Sequence, residues 1–198
     1  LWQLTDGKLL KTLTGHRDWV MSLAISPDSK LLVTGSGDRT VCLRSLPNGK
    51  FLKKIKAHDS FVRCLAIGSD GTLLVTGSDD KTIKLWTLPD GNLVKTLTWD
   101  CGVVRCLAIS PNGQLLVAGI DNTVRIWCLP SGEQWKTLQG HTQEVMCLAI
   151  APGGQWLATG GMDKKVRLWS LVDGSLLKTL SQHAGEVRSL AISPDGRY

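Results

Sequence analysis

This 198-residue sequence predicts an all-β fold built from one four-stranded antiparallel unit written nearly five times. Three observations carry that reading. The first is periodicity: Gly15-His16, Ala57-His58, Trp99-Asp100, Gly140-His141 and Gln182-His183 recur at steps of 42, 42, 41 and 42 residues. Asp38, Asp80, Asp121 and Asp163 step by 42, 41 and 42, and Trp2, Arg44, Trp86, Trp127 and Trp169 by 42, 42, 41 and 42. Rulers of three residue types in register mark a structural repeat. The second observation is the two-residue alternation of apolar and polar side chains within each period, the rhythm of half-buried strands. The third is the set of turn formers between the alternating segments, with no sustained 3.6-residue apolar period to support a helix.

In the second full copy the segments are Phe61 to Ile67, Thr72 to Gly77, Thr82 to Thr87 and Leu93 to Leu97. Ser69-Asp70-Gly71 separates the first two, Asp79-Asp80-Lys81 makes a tight hairpin, and Leu88-Pro89-Asp90-Gly91 leads to the fourth. One such sheet has two faces and cannot cover both, so copies must stack face to face. Radial stacking, a β-propeller, leaves only short strand edges exposed.

The Gly-His pair, the Asp some 22 residues on and the Trp six after that resemble the WD-repeat β-propeller family over the whole chain. Thr87, Cys128 and Ser170 follow the tryptophans where the family has Asp. The resemblance implies a hydrogen-bonded chain of His, strand Thr, turn Asp and Trp in each blade: His58, Thr76, Asp80, Trp86 and His141, Thr159, Asp163, Trp169 are complete sets. Another blade has His16, Thr34 and Asp38 with Arg44 for Trp. The next holds Asp121 and Trp127 with Asp100 for His, Ala118 for Thr and one residue deleted near Ile120, and His183 opens the last copy. The two departing blades are expected to be the less stable ones, since each satisfied bond contributes about 1 kcal/mol.

Residues 1–198 read as a single domain or a fragment of one: a partial blade at 1–13, blades at 16–55, 58–97, 100–138 and 141–180, and a partial blade at 183–198. Residues 1–4 and 8–13 are expected to be a third and a fourth strand, and 187–192 a first strand. Seven blades, the family's usual number, need more residues than these, so further blades are expected from the same longer chain or from another copy. If the ends met, 187–192 and 1–13 would build a fifth blade short of its second strand.

Few residues remain for chemistry. All four histidines occupy the repeat's His position, and no phosphate loop, H-E-x-x-H or G-x-S-x-G occurs. Neither enzyme activity, cofactor nor metal is expected. Cys101 and Cys106 lack a second metal-ligand pair. Cys64, Cys106 and Cys147 share the phrase CLAI, copies of one packing position rather than a disulfide framework. Cys42, aligned with Lys84, Arg125 and Arg167, reads as a surface thiol. Lys11, Lys53, Lys95, Lys136 and Lys178 recur on the outermost strand, where solvated charges discourage edge pairing. Trp135 and Trp156 fall outside the repeat and are assigned to packing between blades.

With 42% hydrophobic residues, no apolar run of membrane-spanning length and no signal-peptide layout, the chain reads as intracellular and soluble, cytoplasmic or nuclear, with no membrane association. The net charge of +6 favours an acidic partner. Variable columns in a constant repeat locate function. One holds Met21, Arg63, Arg105, Met146 and Arg188; another Trp19, Phe61, Val103, Glu144 and Glu186; a third Gly37, Asp79, Ile120 and Met162. The resemblance places them on the top face around the central channel. There the arginines would clamp carboxylate or phosphate, and Trp19, Phe61 and the methionines would be apolar anchors. The expected function is a non-catalytic interaction scaffold or ligand-sensing module binding a protein or peptide, acidic in part. Nucleic acid is a less favoured partner, because aromatic residues do not interleave the basic ones. The alternatives are polyanion binding by the basic surface, or a sensor arm of a larger multidomain enzyme or switch ATPase.

Overall fold

The computed structural model describes residues 1–99 and 102–197. Its regular elements are sixteen strands in four antiparallel sheets, each a meander in chain order. Blade I holds β1 (Val20–Ile25), β2 (Leu31–Ser36), β3 (Thr40–Ser45) and β4 (Lys50–Lys56). Blade II holds β5 (Val62–Ile67), β6 (Leu73–Ser78), β7 (Thr82–Thr87) and β8 (Leu93–Thr98). Blade III holds β9 (Val104–Ile109), β10 (Leu115–Ile120), β11 (Thr123–Cys128) and β12 (Glu133–Gln139). Blade IV holds β13 (Val145–Ile150), β14 (Trp156–Gly161), β15 (Val166–Ser170) and β16 (Leu176–Leu180). The strands of blade II begin and end within one residue of the alternating segments, because those segments are bounded by turn chemistry. Arg39, Lys81 and Lys164 take φ of 67°, 64° and 62° in the turn between second and third strands, directly after the repeat's Asp.

The first strands β1, β5, β9 and β13 neighbour one another across blades, so they are innermost and the fourth strands lie outside. Three apolar cores result, one at each blade interface. The first joins Val33, Leu43, Val62, Leu65 and Trp86; the second Val75, Leu85, Val104, Leu116 and Trp127; the third Val117, Ile126, Val145, Leu157 and Trp169. Val62, Val104 and Val145 are fully buried, each worth about 1.5–3 kcal/mol relative to exposure. Each sits on a glycine of the preceding blade: a Cβ at Gly77 would lie 2.5 Å from Val104 Cγ1, and one at Gly35 2.8 Å from Val62 Cγ1. The equivalent face of blade I, with Val20, Leu23 and Ile25, is exposed.

The end segments depart from expectation. Residues 1–13 form a loose hairpin with one bridge, Trp2 to Leu9, in place of two strands, and 187–192 form no strand. A two-stranded ribbon without inner neighbours is marginal, which accounts for the difference. Val187 still seats on Gly160 as its counterparts do, its N–H donating to the Gly161 carbonyl at 3.0 Å. Among the described residues no backbone bond joins the two ends.

Candidate functional site

In an antiparallel meander the start of the first strand, the turn between the second and third, and the end of the fourth share one face, here the upper face. Each first strand carries a one-residue register shift just inside this face. The bulged residues are Met21, Arg63, Arg105 and Met146. A bulge re-aims a side chain: the preceding Val62, Val104 and Val145 are buried at blade interfaces, while the bulged residues are only half-buried. The variable column and the buried column are thus adjacent in sequence and opposite in fate.

Each arginine of this ring is held by a carboxylate. Arg63 grips Asp79 with Nε 2.9 Å from both oxygens and Nη2 2.6 Å from Oδ2, and its guanidinium lies 5.2 Å from the Phe61 ring centroid. Hydrogen bonding to Asp79 pushes the Arg63 pKa up further. Arg105 reaches across the interface to Glu144 at 2.9 Å, and Arg188 meets Glu186 at 2.7 Å. Trp19 is 77% exposed and Phe61 37%, while Val103, Met146 and Met162 are half-buried.

Ile120 leaves the predicted ring. It is 1% exposed, ends β10, and pairs with Thr123 and Val104. The one-residue deletion falls after it, so it shares the slot of Ser36, Ser78 and Gly161, and blade III has no counterpart of Asp79.

Behind the ring lie the His networks. In blade II the Trp86 indole N–H donates to Thr76 Oγ1 at 3.0 Å, and that hydroxyl lies 2.8 Å from His58 Nε2. With the indole donating, the hydroxyl donates its own hydrogen to Nε2, leaving Nδ1–H for Asp80 Oδ2 at 2.8 Å. Blade IV repeats this with Trp169, Thr159, His141 and Asp163, every step 2.9 Å. There Arg167 Nη1 also donates to Asp163 Oδ2 at 2.7 Å. Burial pushes the Asp163 carboxyl up, but bonds from His141, Arg167 and the Thr142 N–H outweigh it and hold it at about 2. Burial, reinforced by Arg167 and Lys165, pushes His141 down, keeping the imidazole neutral.

In blade I, His16 lies 2.9 Å from Thr34 and 3.2 Å from Asp38, and Lys54 pairs with Asp38 at 3.0 Å. Arg44 fills the Trp slot, 8% exposed, donating to the Thr14 and Gly49 carbonyls. Blade III has the poorest set. Asp100 and Cys101 lie outside the described residues, as does Tyr198. Trp99 packs on Trp127 with centroids 5.9 Å apart, and Arg125 stacks on Trp99 with its Nε buried and without a partner among the described residues. His183 is exposed, and its side chain makes no hydrogen bond among the described residues.

Two further expectations change. Cys42 is 1% exposed, not a surface thiol: its column packs against the His position, with Sγ 3.9 Å from His16 Nδ1, and burial pushes its pKa up. The outer-strand lysines are clasps between blades rather than free charges. Lys11 donates to the Asn48 carbonyl at 2.8 Å and Lys53 to that of Asp90 at 2.5 Å; Lys95 and Lys136 donate to Ser131 and Asp173. Trp135 stands on the bulge of β12, 39% exposed at the rim, and Trp156 opens β14 half-buried.

Sheets of this topology stacked through their first strands, with variable side chains bulged onto one face, define a β-propeller protein. Its sequence matches the family profile described as WD domain, G-beta repeat at residues 7–45, 49–87, 91–128, 132–170 and 174–198. The chain belongs to the WD40 repeat family, and its general role is that of a protein-interaction scaffold. A 39-residue stretch is 44% identical to the nuclear distribution protein PAC1 of Coccidioides posadasii, covering 20% of this chain and 8% of that protein. A 35-residue stretch is 51% identical to the transcriptional repressor rco-1 of Neurospora crassa, covering 18% and 6%. Another of 39 residues is 41% identical to the pre-mRNA-splicing factor prp46 of Emericella nidulans, covering 20% and 9%. Each stretch is about one repeat long, so the chain spans under a tenth of these relatives.

Proposed function

We propose that this chain is a non-catalytic module that docks a protein or peptide on its upper face, with Trp19 and Phe61 as apolar anchors beside the paired arginines. One observation carries the reading. Trp19 stands 77% exposed at the head of a first strand, in a column where the repeat tolerates Phe61, Val103, Glu144 and Glu186. Packing does not account for an exposed indole, and binding hot spots are enriched in Trp and Arg. The names of the relatives, a repressor and a splicing factor among them, are in keeping with a role in an assembly.

The paired carboxylates refine the recognition. An acidic ligand must displace Asp79 or Glu144 to reach Arg63 or Arg105, so the inner ring selects ligands that offer a bidentate carboxylate of their own. The test is capture of partners from a cell extract by immobilised chain, compared with Trp19→Ala combined with Phe61→Ala. Loss of the captured proteins at unchanged melting temperature is expected. Undiminished capture overturns the face as the docking site.

A further inference from the structure

Arg63, Arg105 and Arg188 are each neutralised by a carboxylate at 2.6–2.9 Å, and two of the repeat's turn aspartates are neutralised as well: Asp38 by Lys54 and Asp163 by Arg167. What remains is a set of exposed cations whose side chains make no hydrogen bond or ion pair among the described residues. Arg39, Lys81 and Lys164 sit at one equivalent turn position in blades I, II and IV, all exposed and all at φ near 65°. Arg17 and Lys56 stand exposed in the neighbouring loops of blades I and II. The exposed carboxylates of the same loops, among the described residues, are Asp18 and Asp59, unpaired, and Glu186, already held by Arg188. The opposite face bears Asp28, Asp70, Asp90 and Asp173 together with Lys30, which pairs with Asp28, and Lys50.

We propose that Arg39, Lys81 and Lys164 form a cationic row that takes an acidic polypeptide segment of the partner, lying across the blades outside the Trp19 and Phe61 anchors. The inference rests on the upper face being the docking face. Unpaired, well-solvated charges favour fast, salt-sensitive capture of an oppositely charged chain. An acidic polypeptide suits the row better than a nucleic acid because no exposed aromatic side chain stands in it to stack a base. The three cations stand exposed at left-handed turn positions, and in blade III the left-handed residue of this turn is Asp121, followed by Asn122.

The experiment measures binding of a fluorescent ten-residue glutamate peptide to the 198-residue chain at low and at physiological salt. A triple variant, Arg39→Asn, Lys81→Asn and Lys164→Asn, keeps the turns, since Asn tolerates the left-handed region. It is expected to lose about tenfold in affinity and to flatten the salt dependence, while Arg63→Gln with Arg105→Gln changes affinity by less than about twofold. Unchanged binding by the triple variant overturns the row. Loss confined to the Arg63 and Arg105 variant also overturns it and moves the acidic contact to the inner ring. Tighter, Lys81-dependent binding of a ten-residue oligothymidylate overturns the partner class. If the triple variant loses the peptide while Trp19→Ala with Phe61→Ala leaves partner capture intact, the row stands and the docking reading fails by itself.

Discussion

Lys53 in blade I donates from its ammonium to the backbone carbonyl of Asp90 in blade II, 2.5 Å away. The same bond links Lys11, Lys95 and Lys136 to the turn carbonyls of the following blades. Lysine stems also lie over the turn glycines, with Lys136 Cδ 2.5 Å from where a Cβ of Gly174 would sit. A charge on the rim thus acts as a latch between sheets. Replacing Lys53, Lys95 or Lys136 by Met keeps the stem and removes the donor, at an expected cost of about 0.5–1.5 kcal/mol each. Lys178→Met, where no such bond is present among the described residues, is expected to stay within about 0.5 kcal/mol. Urea unfolding midpoints distinguish the two outcomes.

Thr76 and Thr159 each serve an indole and an imidazole through one hydroxyl. Thr76→Val or Thr159→Val leaves both buried partners without a mate, and about 1–3 kcal/mol of stability is expected to go. Blade III, with Ala118 at this position, already lacks the hydroxyl. Its amides are expected to exchange with solvent before those of blades II and IV. Hydrogen exchange resolved by peptide reads this directly, and uniform protection through blades II, III and IV contradicts it.

Gly77 carries no side chain because Val104 of the next blade occupies the space. Gly77→Ala places a methyl 2.5 Å from Val104 Cγ1, an overpacking expected to cost about 1–3 kcal/mol. Combining it with Val104→Ala removes the Cγ1 contact but leaves Cys64 Sγ at 2.8 Å and the Cβ of residue 104 at 2.9 Å, so the double variant is expected to recover only part of the loss while still falling short of the sum of the singles. A double-mutant cycle in denaturant measures that coupling.

Blade IV contributes to two windows of acid stability. Burial, with Arg167 and Lys165, pushes His141 below its usual 6.5. Between that value and its folded pKa the unfolded chain binds the proton better, so stability is full above pH 6.5 and declines as pH falls beneath it. Asp163, buried yet held at about 2 by His141, Arg167 and the Thr142 N–H, adds stability above its usual 3.8 that drains away as pH falls toward 2. Thermal melts from pH 8 to pH 2 are expected to show both declines. Asp163→Asn is expected to shrink the lower one without removing it, because Asp38 and Asp80, against their burial, are also held below the usual carboxylate range by their hydrogen bonds.

The strand pattern and the His networks were legible because they repeat. Thr72 to Gly77 announces β6 through alternation and turn residues, which are local properties. Ile120 was misplaced for an equally local reason: a deletion in a repeat has no visible position until strand pairing shows which residue lost its neighbour. Cys42 was misplaced because its column looks polar elsewhere, although in blades I and IV the Cys42 and Arg167 side chains are buried against the histidine. Arg39, Lys81 and Lys164 are not singled out by the sequence, since a charge after a turn Asp looks like ordinary solvation until Arg63, Arg105 and Arg188 are seen to be paired.

By itself the sequence determined the period, the four-stranded unit, the antiparallel order and the residues of each His network. These follow from side-chain alternation, turn conformation and hydrogen-bonding capacity, all set within 42 residues or fewer. Tertiary structure alone decided which side of each bulge a residue takes, which carboxylate each arginine holds, and which lysines reach a neighbouring blade. Those outcomes depend on distances between sheets, and an inter-blade distance is not a property of any one repeat.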